Sequence, residues 1–115
     1  MWLKIYEQGL TVDPVVRDQV ERRLGLALGK SGEHVGRVSV LLTVVNGPQG
    51  GEDKLCRVVV EVLGHGRVVV EDTDRDVQVA IEQTADRVGQ AVRRQLDRAQ
   101  LYASLTDPKL VGGQN

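Results

Sequence analysis

The sequence predicts a two-layer α+β domain in β-α-β-β-β-α order, a four-stranded sheet with two helices packed on one face. Four short segments alternate apolar and polar residues, as half-buried strands do. Two longer segments repeat apolar residues at helical spacing, and glycine-rich breaks separate the elements. Strands and helices that are each apolar on one side bury those sides against one another in two layers.

The elements follow in order. Residues 2–7 put Leu3 and Ile5 on one face and Lys4 on the other, which reads as a strand. Asp13 is suited to cap a helix and Pro14 to fill its first turn, where a missing N–H costs little. Val16, Val20, Leu24 and Ala27 then recur on one face, and the helix is expected to run to about Leu28 and stop at Gly29. Residues 36–45 are rich in β-branched side chains, with Val38, Val40 and Leu42 on one side of a second strand. Asn46–Asp53 reads as a loop by composition, and 54–63 as a strand with Cys56, Val58, Val60 and Val62 on one face. Gly64-His65-Gly66 makes a tight connection into a last strand at 67–71.

Thr73 or Asp74 is the expected N-cap of the final helix. Its stripe of Val77, Ile81, Ala85, Val88, Val92 and Leu96 continues for about 25 residues at helical period. The first strand pairs parallel to a neighbour once the first helix has crossed over. The far sheet face, with Ser39, Leu41, Thr43, Val59 and Val69 pointing outward, then stays wet or meets a partner. One domain over residues 1–105 is expected, followed by a flexible tail, 106–115, whose sequence has no period.

Composition sets limits on function. The chain has 115 residues, 41% hydrophobic and 27% charged, enough to build a core and too apolar for a disordered polymer. With no Phe, one Trp and two Tyr, that core must be aliphatic, and only Trp2, Tyr6 and Tyr102 offer stacking surfaces to unpaired bases. Fifteen Lys and Arg against 16 Asp and Glu leave a net charge of −1, which argues against a generic polyanion binder. A basic stripe on one face is compatible with that balance. A single cysteine excludes an intramolecular disulfide, and no Cys/His spacing suggests zinc. Neither a signal peptide nor an apolar run of the roughly 20 residues that cross a membrane is present, so the cytoplasm is the default expectation.

At about 100° per residue, Arg87, Arg94 and Arg98 of the last helix fall together, roughly 100–140° to one side of Ile81. Gln83 and Gln90 lie beside them. The opposite flank carries Glu82, Asp86, Arg93 and Asp97, a self-compensated set. Arg17, Arg22 and Arg23 add cations on the first helix. Helices lying side by side would let these guanidinium groups form a phosphate-binding surface, for which their bidentate geometry suits them. A solvated helix face is the plainer alternative, since Arg is a good helix former.

Residues that often carry catalysis do not converge in the sequence. His34 and His65 lie in or beside loops, with no nucleophile motif around either. Cys56 shares a strand face with Val58 and Val60, as a buried aliphatic-like thiol does. Asp72, Asp74 and Asp76 alternate like metal ligands, but they lack the glycine and terminal glutamate of a calcium loop and fit a helix start better. The glycines at 47–51 lack the Lys-Ser/Thr ending of a phosphate loop and join two strands. No catalytic residue, metal or cofactor is therefore expected.

The element order, the segment Asp-Pro-Val-Val-Arg-Asp-Gln-Val-Glu-Arg-Arg-Leu (13–24) and the segment Glu-Asp-Thr-Asp-Arg-Asp-Val-Gln-Val-Ala-Ile (71–81) together resemble the ribosome hibernation-promoting factor and ribosome-associated inhibitor A family. The similarity covers roughly residues 1–100, and Asn-Gly-Pro-Gln-Gly-Gly-Glu-Asp-Lys-Leu-Cys-Arg (46–57) resembles short, stand-alone members. The resemblance implies a non-catalytic factor of stationary phase or stress. Such a factor binds the small ribosomal subunit in the channel used by messenger and transfer RNA and silences translation. It implies rRNA contacts at Arg17, Arg23, Arg87 and Arg94, to which the helical wheel adds Arg22 and Arg98. Leu26 and Gln90 stand where better-known members are usually basic. Long members carry a second domain that pairs ribosomes, and this chain ends before one begins, so pairing by that route is not expected. Neither DNA nor a membrane is an expected partner. Two competing readings are a protein-interaction module of the same fold that has lost ribosome affinity, and a double-stranded RNA binder.

Overall fold

A computed structural model describes residues 2–48 and 50–106 of the chain. Its elements are β1 (Trp2–Gln8), α1 (Pro14–Leu28), a 3-10 turn (Gly29–His34), β2 (Val35–Asn46), β3 (Glu52–Val62), β4 (Arg67–Asp74) and α2 (Val77–Thr106). The four strands form one sheet in the order β1-β2-β3-β4. β1 pairs parallel to β2 and the other pairs are antiparallel, so α1 is the crossover that a parallel pair requires. This is the α+β architecture the sequence predicts.

The alternation in the strands decides where the core lies. Val38, Val40 and Leu42 of β2 and Cys56, Val58, Val60 and Val62 of β3 are almost wholly buried. Val20 and Leu24 of α1 join them, with Ile81, Ala85, Val88 and Val92 of α2. The core is aliphatic, as the scarcity of aromatic residues demands. The opposite sheet face stays open: Ser39, Leu41, Thr43 and Val59 are half-buried and Val69 is exposed. Between Val35 and Val38 the β2–β3 register slips by one residue, a bulge at Gly36 and Arg37.

Two sequence expectations shift at the β4–α2 junction. β4 does not stop at residue 71, because Thr73 pairs with Leu55 and Asp74 with Lys54. Neither Thr73 nor Asp74 is therefore the N-cap. Asp76 takes that place, its Oδ1 accepting from Gln78 N at 2.8 Å and its carbonyl from Ala80 N at 3.1 Å. At the β2–β3 loop the ladder likewise extends to the Asn46–Glu52 pair, narrowing the connection to 47–51. At the end of the chain, α2 includes Thr106, and the rest of the expected tail, 107–115, lies outside the described residues.

α1 is capped as expected, with Asp13 Oδ1 accepting from Val16 N at 2.9 Å. Gly29 ends it at φ 51°, a backbone that suits glycine. α1 and α2 pack unusually closely at one point. A Cβ on Gly89 would lie 2.5 Å from the Ala27 carbonyl oxygen, so only glycine fits there. At Gly25, on the exposed side of α1, a Cβ would meet nothing within 4 Å.

The buried Cys56 thiol is pushed up to about 11, chiefly by desolvation, with the Asp72 carboxylate adding to the rise and a Thr84 hydrogen bond opposing it. A thiol held protonated is a poor nucleophile.

Two predictions follow the packing. Gly89→Ala should lower unfolding free energy by about 1–3 kcal/mol, the cost of overpacking a backbone contact. Gly25→Ala should raise it by about 1 kcal/mol through helix propensity. Urea titration of the two variants checks both signs. The native thiol should resist maleimide at pH 8 and label quickly once urea unfolds the chain. Because its folded pKa is raised, its contribution to stability is complete below the unfolded thiol value and is lost as pH climbs towards about 11. Fast labelling of the native state at pH 8 would contradict that burial.

Candidate nucleic-acid interface

The contacts between the helices fix which flank of α2 faces α1. Arg23 Nη2 lies 2.6 Å from Glu82 Oε1, and Gln19 Nε2 donates to the Gln78 carbonyl at 3.1 Å. Arg93 Nη1 donates to the Ala27 carbonyl at 3.1 Å, taking up an oxygen in the last turn of α1. The Glu82 and Arg93 flank of α2 therefore faces α1. Arg87 points the other way, to β4, where it donates to the Glu71 carbonyl at 3.0 Å and lies 3.6 Å from Asp72 Oδ2.

Arg94 and Arg98 follow Arg87 at seven and eleven residues, within about 20° of it on the wheel, and both are exposed. The three make a stripe about 16 Å long on the flank of α2 turned away from α1. The arginines of α1 share no such face. About 120° separates Arg17 from Arg23, and Arg22 lies between them on the outer side. Arg17 and Arg22 are exposed, while Arg23 is turned into the crevice between the helices. Of the six arginines singled out from the sequence, the structure brings three into one stripe and leaves the α1 set across the helix pair. Two carry ion pairs, Arg23 with Glu82 and Arg87 with Asp72.

The aspartates of the β4–α2 junction serve backbone N–H groups. Asp72 Oδ1 accepts from Thr73 N, Asp74 Oδ2 from Asp76 N, and Asp76 Oδ1 from Gln78 N. Among the described residues, no group of three or more His, Cys, Asp or Glu side chains is placed to hold a metal ion. No described helix is long and apolar enough to cross a membrane.

The open sheet face carries charged and aromatic residues that the expected outward set of Ser39, Leu41, Thr43, Val59 and Val69 did not include. Trp2, Lys4 and Tyr6 of β1, Arg37 of β2, Arg57 of β3 and Arg67 of β4 belong to it by register. Arg57 pairs with Glu71 at 3.0 Å. Period-2 alternation, followed past the apolar positions, would have assigned them all.

A family model described as sigma 54 modulation protein / S30EA ribosomal protein matches residues 3–100. No curated protein matches the sequence significantly. Among solved structures, the chain is similar to a ribosomal subunit interface protein from Coxiella burnetii. That match has a TM-score of 0.71 and 13% identity, over 82% of this chain and 96% of the other. It is also similar to the N-terminal domain of Protein Y from Thermus thermophilus, with a TM-score of 0.67 and 26% identity, over 82% of this chain and 98% of that domain. The first likeness concerns the fold alone, whereas the family match spans most of the sequence and reaches every regular element. The chain belongs to the sigma 54 modulation protein / S30EA ribosomal protein family.

Proposed function

We propose that this protein is a non-catalytic, cytoplasmic, ribosome-associated factor of the hibernation type. It binds rRNA of the small subunit through helix arginines and silences translation by occlusion under starvation or stress. Its membership of a ribosomal protein family supports the partner. The observation that carries the mode of binding is the stripe of Arg87, Arg94 and Arg98 on an outward flank of α2. Guanidinium groups spaced along a helix suit a phosphate backbone, which they grip by paired, charge-assisted hydrogen bonds.

Within the stripe, Arg94 and Arg98 are the principal phosphate ligands, and Arg87 is partly committed to β4. On α1, Arg17 and Arg22 supply a second, smaller set, and Arg23 is available only if it leaves Glu82. The Glu82 contact also gives some support to the other reading, a protein-interaction module that has lost ribosome affinity, since it removes one of the cations the ribosome would need. The two readings separate on the partner: rRNA binding is abolished by nuclease and high salt, whereas a protein partner survives both.

Arg94→Gln with Arg98→Gln should weaken co-sedimentation with small subunits by at least about tenfold, two charge-assisted contacts being lost. The double variant should also flatten the dependence of log affinity on log salt by about 2. Circular dichroism and urea unfolding should stay as in the parent, because both side chains are exposed. Unchanged co-sedimentation across a salt series would remove these arginines from the mechanism.

A further inference from the structure

The face of the sheet turned away from both helices carries a second concentration of nucleic-acid chemistry. Trp2 and Tyr6 stand two pleats apart on the same side of edge strand β1, about 13 Å along it. They are 62% and 47% exposed, an unusual loss of aromatic burial in a chain with one Trp and two Tyr. Each is matched to a cation. The Arg37 guanidinium lies 4.9 Å from the Trp2 ring centre, and Lys4 Nζ lies 5.3 Å from that of Tyr6.

Alternation along β2 puts Arg37 there, on the same face as Ser39 and Leu41. Val35 and Val38 both face the core, and the extra residue in the register leaves Gly36 and Arg37 between them, with Arg37 beside its β1 partner Trp2. Grooves run on either side of Arg37. One is lined by Trp2, Lys4 and Tyr6, and the other by Ser39, Val59, Glu61 and Arg67. Four cations, Lys4, Arg37, Arg57 and Arg67, stand on the central rows of this face against two carboxylates, Glu61 and Glu71. Arg57 is held by Glu71, while Glu61, opposite Arg67 in the ladder, turns its carboxylate towards Gly36 and borders Arg37 and Trp2. The β1 side sets Lys4 and Arg37, beside the two rings, against the single carboxylate of Glu61 and keeps a net positive charge.

We propose that the open sheet face around Trp2, Arg37 and Tyr6 binds a short stretch of single-stranded RNA, separately from the helix arginines. Four-stranded sheets with exposed aromatic residues hold two or three unpaired bases by stacking, and a guanidinium plane extends the stacking surface. Cations between the rings meet the phosphates that join those bases. A protein partner fits less well, because the excess cations would be buried without matching acids. RNA is the form of nucleic acid indicated, because the family is ribosomal.

Trp2 is the sole tryptophan, so its fluorescence reports on this face directly. Titration with a ten-nucleotide oligouridylate should quench it, and quenching should reverse with added salt. The anisotropy of the same oligonucleotide, fluorescein-labelled, should show at least about a tenfold loss of affinity in Trp2→Ala and in Arg37→Ser, the scale of one lost stacking contact. Arg94→Gln with Arg98→Gln should leave oligonucleotide binding unchanged while losing subunit co-sedimentation. Failure of either surface is therefore read independently of the other. No quenching, equal quenching by polyglutamate, equal affinity for an adenylate–uridylate duplex, or wild-type affinity in the folded Trp2 and Arg37 variants would each overturn the assignment.

Discussion

Where α2 crosses the last turn of α1, the backbones touch at Gly89 and the Ala27 carbonyl, with no room for a side chain between them. That carbonyl belongs to the group of oxygens a helix leaves without an internal partner, and Arg93 donates to it. The contact therefore sets both the separation of the helices and the rotation of α2 about its own axis. Once Gly89 and Arg93 face α1, the 100° step of the helix leaves Arg87, Arg94 and Arg98 no choice of flank. The cationic stripe is a consequence of packing as much as of composition. Val88 and Val92, on the same turns, fix the depth at which α2 sits on the sheet.

Charge balance over the chain hides this organisation. The ion pairs of Arg23 with Glu82 and Arg57 with Glu71 are about half exposed, where such pairs contribute little to stability. Their effect is to cancel charge locally, in the crevice between the helices and on one side of the open sheet. Screening at physiological salt acts over about 8 Å, so a phosphate beside Arg98 scarcely senses acids on the far side of the domain. A polyanion responds to the nearest cations. The net charge of −1 therefore does not measure what either face attracts.

Much of this was legible in the sequence. Alternation in β2 and β3 marked the buried valines, and Asp13-Pro14 with Gly29 marked both ends of α1. The wheel of α2 sorted its charges correctly into two flanks. It could not say which flank meets α1, because that depends on a contact between backbones at Gly89, where there is no side chain to read. The start of α2 was hidden for another reason. In Asp72-Thr73-Asp74-Arg75-Asp76 several residues are competent caps, and the length of β3 decides how many of them the ladder consumes. The bulge that lets Val35 and Val38 both face the core left only Gly36 as its signal.

The arginines of the outer stripe are not equivalent as ligands. Arg94 and Arg98 are exposed and must lose rotamer freedom when they bind a phosphate. Arg87 is already ordered by the Glu71 carbonyl and Asp72, so binding there exchanges one anion for another. Its contact with Glu71 also occupies a backbone oxygen of edge strand β4, which suppresses sheet-to-sheet association. On the open sheet face, Arg37 is likewise ordered in advance, but by a ring rather than a carboxylate. A guanidinium held over a ring keeps its hydrogen-bond donors free for phosphate. Of the two surfaces the sheet is therefore the better ordered before binding.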